Sequence, residues 1–321
     1  MKRKNNLYQE LLNFENIENA YNEVRKNTKN RNRVFNLYSY KSIYMYRVYN
    51  ILINKNYVVG PYNKFTIYEP KKREIVSQNL EDKIINHLVA RYILYPAILP
   101  CLLNINVASR KGMGTKKGLD FALKYHNLCK QKYRTYYILK CDIRKFFANI
   151  NHELLKQKLL KRIKDTDALK IVFDIIDSNQ QGLYIGSMTN QILAIFYLND
   201  LDHFIKNTLK IKYYVRYQDD FLLFHQSKSY LKFCLEEIKK FLYKEKLTLN
   251  DKTRIYKNTN NFMFLGRNVK GQYCRYRNIK RKLKNKYYLY NQNYATLNSL
   301  SSSLICYKQL LNKPMPINFK K

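Results

Sequence analysis

The sequence predicts an α+β fold, and three observations point to it. Apolar residues recur at helical spacing through the first hundred residues and again around 189–205. Short runs rich in aromatic and β-branched residues, Tyr136 to Asp142 and Tyr213 to Phe224, have the length and composition of strands. With 321 residues and no internal repeat of fixed period, the chain is long enough for two or three packed subdomains sharing cores.

In chain order, Leu7, Leu11 and Leu12, then Ile17 and Tyr21, fit one helical face. A second helix is expected over Ser39 to Asn54, after the basic segment Lys26 to Arg33. Phe65 to Ile75 reads as a β-ribbon, with Lys71 and Arg73 two residues apart and so on one face of a strand. Asn79 and Asp82 are expected to cap the next helix, whose Leu80, Ile84, Leu88 and Tyr92 form an apolar stripe. His87 to Ala108 is the most apolar stretch, but Arg91, Pro96 and Pro100 make it a poor membrane span, so it reads as buried helix and turn. The strand from Tyr136 ends on the carboxylate of Asp142 and precedes a helix beginning near Asn151, and another helix is expected from Thr189 to Ile205. Tyr213 to Phe224 reads as a hairpin with Gln218, Asp219 and Asp220 at its tip.

Composition narrows the partners. Sixty Lys and Arg stand against 23 Asp and Glu, a net charge of +37, which points to a polyanion. The cations are spread over the whole chain and not gathered in one amphipathic helix, which favours nucleic acid over a membrane surface, and no membrane partner is expected. Many of the 31 Tyr stand beside Lys or Arg, as phosphate contact with base stacking requires, although AT-rich codon usage accounts for part of that excess. Six cysteines without a C-x-x-C pair read as reduced thiols, and Met1 to Asn30 is charged throughout, so a cytoplasmic protein is expected.

The acids carry the chemistry. Phosphoryl transfer onto a nucleic-acid end uses two divalent ions, and these need hard oxygen ligands converging from separate elements. Asp142 after one strand and Asp219-Asp220 in another offer such a set in an acid-poor chain. A lone Asp-Asp pair is more often a solvated turn, so the surrounding words decide. In order, Asp142-Ile-Arg-Lys-Phe-Phe147, Gly182-Leu-Tyr-Ile-Gly-Ser-Met-Thr-Asn-Gln191, Tyr217-Gln-Asp-Asp220 and Phe264-Leu-Gly266 resemble the successive palm motifs of reverse transcriptases. Pro70-Lys-Lys-Arg-Glu-Ile75 and Ser109-Arg-Lys-Gly-Met-Gly-Thr115 resemble the finger motifs of prokaryotic members. With the opening Asn6-Leu-Tyr8 and Phe14-Glu-Asn-Ile17, the resemblance is closest to reverse transcriptases of diversity-generating retroelements and their phage-defence relatives.

The resemblance implies a right-hand α+β polymerase fold. Residues 1–135 would form N-terminal helices and fingers with interleaved palm elements, 136–266 a palm on an antiparallel sheet, and 267–321 a helical thumb. It implies RNA-directed DNA synthesis from dNTPs on an RNA template and RNA/DNA duplex, with two Mg2+ ions, or Mn2+ as a substitute. Asp142, Asp219 and the backbone of Ile143 would hold the ions, with Asp220 as a supporting acid. Phe147 matches a steric gate against ribonucleotides, and Lys71 and Arg73 match residues that grip the triphosphate. Gly186, like Gly182, would let backbone approach the nucleotide, and Gln191 would lie beside the template base, with Ile185 and Gln191 setting fidelity. Lys252 matches a proton donor to pyrophosphate, Phe264, Leu265 and Gly266 match the primer grip, and the basic run Arg275 to Lys286 suits a thumb helix on duplex. Outside these motifs Phe147 would read as core, Lys71 and Arg73 as exposed cations and the glycines as a turn.

Ile185-Gly186 and the ending Asn190-Gln191 follow the diversity-generating group, which has Ile, Val or Leu before that glycine and Ser-Gln at the end; Asn190 departs from it. Error-prone copying for a diversity-generating retroelement is therefore the first expectation, antiviral defence the second, and a non-catalytic nucleic-acid-binding subunit the reading from another class. The resemblance also implies a structured noncoding RNA and a small helical accessory protein as partners. No maturase, endonuclease or RNase H segment is expected after the thumb.

Overall fold

The computed structural model describes residues 3–67, 73–270, 273–276 and 279–311. Asn13 splits the first apolar run. Its side chain accepts from the backbone N–H groups of Glu15 and Asn16, which ends a 3-10 turn, Gln9–Leu12, and starts helix α1, Phe14–Asn27. Asn30 caps α2, Arg31–Ser39, in the same way, so part of the basic segment is itself helical; α3 spans Lys41–Ile53. Strands β1, Asn63–Ile67, and β2, Arg73–Ser77, pair antiparallel as the expected ribbon. Arg73 is exposed at the start of β2, and Lys71 lies outside the described residues.

Asn79 caps α4, Leu80–Leu88, by accepting from the Asp82 N–H. The Asp82 carboxylate does not cap. It accepts from the Tyr57 hydroxyl and the Gly60 N–H and so ties the preceding loop to the helix. The helix continues through a π turn, Val89–Leu94, into α5, Tyr95–Ile98. This run, Leu80–Cys101, is apolar and long enough to cross a membrane by length and composition. Here Ile84, Ile85, Leu88, Val89, Ala90, Ile93 and Leu94 are fully buried and form the spine of the main core.

After α6, Thr115–Lys132, the chain enters β3, Tyr137–Asp142, and then four helices: α7 (His152–Leu160), α8 (Thr166–Asp177), α9 (Met188–Tyr197) and α10 (Asn199–His203). The single helix expected over Thr189 to Ile205 is thus interrupted at Leu198, whose ψ of 9° leaves helical geometry. The hairpin β4 (Tyr213–Tyr217) and β5 (Asp220–His225) follows, then α11 (Lys228–Lys244) and β6 (Arg254–Lys257). The sheet order is β4-β5-β3-β6, antiparallel throughout. Because the pleat alternates, Ile138, Val215, Leu222 and Phe224 meet α6 on one face, while Leu139, Cys141, Tyr214, Phe221 and Leu223 enter the main core on the other. Burying each such side chain contributes about 1.5–3 kcal/mol. That burial sets the register, since a one-residue slip of β5 would turn Phe221 out of the main core and Asp220 into it.

Strands β7 (Phe262–Phe264), β8 (Arg267–Lys270) and β9 (Tyr273–Tyr276) form a second antiparallel sheet, followed by α12 (Ile279–Asn291) and α13 (Leu297–Leu311). The basic run expected as helix from Arg275 therefore begins in a strand paired with β8, and the boundary expected at 266 falls in the β7–β8 turn. The first helix after this sheet starts at Ile279.

Candidate active site

The register of the sheet pairs Asp142 at the end of β3 with Asp220 at the start of β5. Directly opposed residues share a face, so Lys140, Asp142 and Asp220 lie together on the α6 side. Asp219 occupies the two-residue turn with Gln218, whose φ of 53° is one that glycine usually supplies in such hairpins. Two contacts hold this turn: the Gln218 carbonyl accepts from the Arg216 guanidinium at 2.9 Å, and its side-chain amide donates to Ser109 Oγ at 2.9 Å. The Asp219 carbonyl accepts from the Ile143 N–H at 3.3 Å and the Asp142 carbonyl from the Asn250 N–H at 2.7 Å, so main-chain bonds lock strand end and turn together.

Lys140 Nζ stands 3.0 Å from Asp220 Oδ1. Burial raises the Asp220 carboxyl to about 7, with Lys140 pulling it down and the charges of Asp142 and Asp219 pushing it up further. The folded value lies above the unfolded one, so the native state binds more protons between about pH 4 and 7, and stability falls as pH rises through that window. In protein kept metal-free with chelator, Asp220→Asn is expected to raise the melting temperature at pH 8 and to leave it near wild type at pH 4. An equal shift at both pH values would contradict this electrostatic account.

The donor set suits a hard divalent ion. Among the described residues no three His, Cys, Asp or Glu side chains group as a closed metal site. Asp142 at the strand end and Asp219 in the facing turn offer hard oxygen donors of the kind that divalent ions such as Mg2+ take. The part of the Asp220 shift that comes from Asp142 and Asp219 is one that a cation among these acids would offset.

The opposite face of the hairpin holds a buried ion pair. Arg216 and Asp202 of α10 are both 0% exposed, and the guanidinium meets the two carboxylate oxygens at 2.7 and 2.6 Å. Arg216 also donates to the carbonyls of Ile195 and Gln218, and the Tyr214 hydroxyl donates to Asp202 at 2.7 Å. The main chain of Arg216 bonds Ile105 and Val107, so segment 105–107 flanks β4 and delivers Ser109 to the turn. Arg216, Asp202 and Lys140 carry no role in the sequence motifs, and Ser109 stands in a finger motif that gives it no role at the turn. One signal was present: an arginine amid the apolar residues of a buried strand demands a buried acid.

The remaining motif residues gather around this hairpin to different degrees. Phe147 follows Asp142 in a short 3-10 turn, is half-buried edge-on against Phe146, and its carbonyl accepts from the Leu183 N–H at 2.7 Å. Gly182 and Gly186 are constrained by protein and not by open space. A Cβ on Gly182 would lie 2.5 Å from the Phe147 and Ala148 backbone, and one on Gly186 2.3 Å from the Val76 carbonyl. The Val76 N–H donates to the Ile185 carbonyl at 3.0 Å, so Ile185 and Gly186 are the junction between ribbon and palm. Exposed Gln191 accepts from Ser109 Oγ at 3.2 Å, which chains it to Gln218 in the β4–β5 turn. Lys252 lies across a groove of about 410 Å3 that it lines together with Lys140, Arg254 and Met263. Phe264 is buried against the α6 side, and Leu265 and Gly266, both at positive φ, make the tight β7–β8 turn. Leu265 packs over Gly118 of α6, away from the acids' own strands.

A finger ribbon joined to an antiparallel palm, with carboxylates at a strand end and a facing hairpin turn, defines a right-hand nucleic-acid polymerase. Residues 62–269 match the model of the reverse transcriptase (RNA-dependent DNA polymerase) family, and the chain belongs to that family. Among solved structures, the apo telomerase of Candida tropicalis truncated from its C-terminal domain aligns with a TM-score of 0.52 and 15% identity, over 67% of this chain and 55% of that one. The telomerase of Candida albicans in complex with the TWJ fragment of telomeric RNA aligns at 0.53 and 14%, over 85% of this chain and 60% of that one. At these identities the likeness is one of fold, and the chain spans between 55% and 60% of the length of these telomerases. No curated protein matches the chain in sequence.

Proposed function

We propose that the chain copies an RNA template into DNA by two-metal nucleotidyl transfer at Asp142 and Asp219, and does so with low fidelity for a diversity-generating retroelement. The observation that carries the chemistry is the gathering of Asp142, Asp219 and Asp220 at one end of the palm sheet, where burial first, and the neighbouring acids after it, raise the Asp220 carboxyl to about 7. Two Mg2+ ions, with Mn2+ as a substitute, are the natural occupants of that oxygen set, and when bound they activate the primer hydroxyl and neutralise the triphosphate. Asp142, Asp219 and the Ile143 carbonyl hold them, and Asp220 supports with Lys140 as its counter-charge. Arg73 at the start of β2, together with Lys71, grips the triphosphate, and Lys252 supplies a proton to pyrophosphate. Phe264, Leu265 and Gly266 position the primer end. Template RNA, RNA/DNA duplex, a structured noncoding RNA and a small helical accessory protein are the partners, in the cytoplasm.

Phe147 follows Asp142 by five residues in the 3-10 turn, fixed by its own carbonyl and by Phe146. Its ring excludes a ribose 2′-hydroxyl, so Phe147→Ala is expected to raise incorporation of ribonucleotides by at least about tenfold, a barrier change of about 1.4 kcal/mol. Competing dNTP and rNTP on one primed RNA measures it, and an unchanged preference would place the gate elsewhere.

Low fidelity rests on Ile185 before Gly186 and on Gln191, the motif variant that resembles error-prone members. Both positions sit at joints: Ile185 bonds the ribbon and Gln191 bonds Ser109. Wild type is expected to misincorporate most opposite template adenine, and Ile185→Gln or Gln191→Pro to lower that error. Deep sequencing of cDNA made on a defined RNA by the three proteins is the test. Equally low error at all four template bases would remove the diversification reading and leave antiviral defence.

A further inference from the structure

Between Glu23 and Glu69 the chain holds nine Lys or Arg, eight Tyr and no acid. Much of this segment is α2 and α3, whose inner residues Leu37, Val48 and Leu52 are fully buried while the outer ones are not. Phe35 and Tyr38 are each 65% exposed and Tyr46 63%. Four of the cations are paired: Lys41 with Glu18, Arg47 with Glu81, Lys55 with Asp167 and Lys64 with Glu74. Lys26, Lys29 and Arg31 are exposed and form no ion pair among the described residues, and the Arg25 guanidinium lies 5.1 Å over the Tyr38 ring.

This face is connected to the polymerase site. The Arg33 guanidinium donates to Ser77 Oγ and to the Gln78 carbonyl, which fastens α2 to the end of β2. One residue earlier on β2, Val76 bonds Ile185 of the pocket loop. A strand of nucleic acid that leaves the pocket along the ribbon therefore meets α2 next.

We propose that the α2–α3 face, from Lys26 to Tyr46, is a platform for the single-stranded part of the RNA template, with Lys26, Lys29 and Arg31 on phosphates and Phe35, Tyr38 and Tyr46 stacked on bases. The proposal rests on the reading that this chain copies RNA. Exposed rings among unpaired cations suit unstacked bases, whose π-faces are available only in a single strand. A protein partner fits less well, because the cores of protein interfaces are depleted of charge, and of lysine above all.

The test compares a primed RNA with a template overhang of about four nucleotides and one of about twenty, which spans the site size of a stacking groove. Wild type is expected to bind the long overhang at least about tenfold more tightly at physiological salt. Tyr38→Ala with Tyr46→Ala should abolish that gain, Tyr38→Phe with Tyr46→Phe should keep it, and all variants should extend the short-overhang primer at wild-type rate. Lys29→Gln with Arg31→Gln should flatten the salt dependence of the long complex by about one to two in log–log slope. Equal wild-type affinity for both overhangs, or equal loss on both in the alanine variant, overturns the platform. So does an alanine variant with unchanged RNA affinity but altered self-association in sedimentation, which would make the face a protein interface. Overhang-dependent binding without synthesis on any template supports the platform and overturns the copying reading instead.

Discussion

Asp142→Asn or Asp219→Asn is expected to reduce nucleotide incorporation by at least about a thousandfold while leaving RNA affinity within about twofold of wild type. Each substitution preserves shape and removes one of the negative charges that a divalent ion needs. Metal stabilisation of the transition state amounts to several kcal/mol, and about 4 kcal/mol is a thousandfold in rate. RNA affinity should hardly change, because it comes from counterion release by a chain of net charge +37, to which one acid adds little repulsion. Single-nucleotide extension of a primed RNA and filter binding measure the two quantities. Near-wild-type extension in either variant would remove the assignment of these acids, and a parallel loss of binding would mean that the hairpin had come apart.

The second large effect is expected on the opposite face of the same hairpin. Arg216→Met leaves Asp202 buried without a counter-charge and with the Tyr214 hydroxyl in place of the guanidinium as its donor, at a cost of about 3–5 kcal/mol. Burial, then the neighbouring Asp202 charge, holds the Tyr214 hydroxyl well above its ordinary value, so it stays a donor throughout the working range. Arg216→Met together with Asp202→Leu removes both charges and should recover most of that stability, since paired buried charges are close to neutral against apolar replacements. Activity should not follow. The Gln218 carbonyl would still lack its donor, and the strained turn that carries Asp219 would no longer be held from behind. Urea unfolding reports the stability and single-turnover extension reports the turn. Recovery of both in the double variant would reduce Arg216 to half of an ion pair, whereas recovery of stability alone makes it a positioning residue.

What the sequence by itself determined is the chemistry and its local supports. Asp142 and Asp219-Asp220 stand out because carboxylates are scarce in this chain and because each ends or interrupts an apolar run, a local pattern that needs no tertiary knowledge. Asn79 was legible as a cap for the same reason, since capping depends on groups three residues apart. Helix periodicity likewise marked α4 and its buried stripe. Tertiary structure decided everything that depends on register and on contacts far apart in the chain. It set Asp142 opposite Asp220, over a separation that no local rule spans, and it matched Arg216 with Asp202 across a strand and a helix. It turned the basic run at Arg275 into strand first, because pairing with β8 outweighs a weak local preference. It also showed that Gly186 is a glycine on account of the Val76 carbonyl of the ribbon, an encounter between segments 110 residues apart. Short-range propensity selects elements, but which side chain meets which is settled by how buried faces pack, and that is a property of the whole chain.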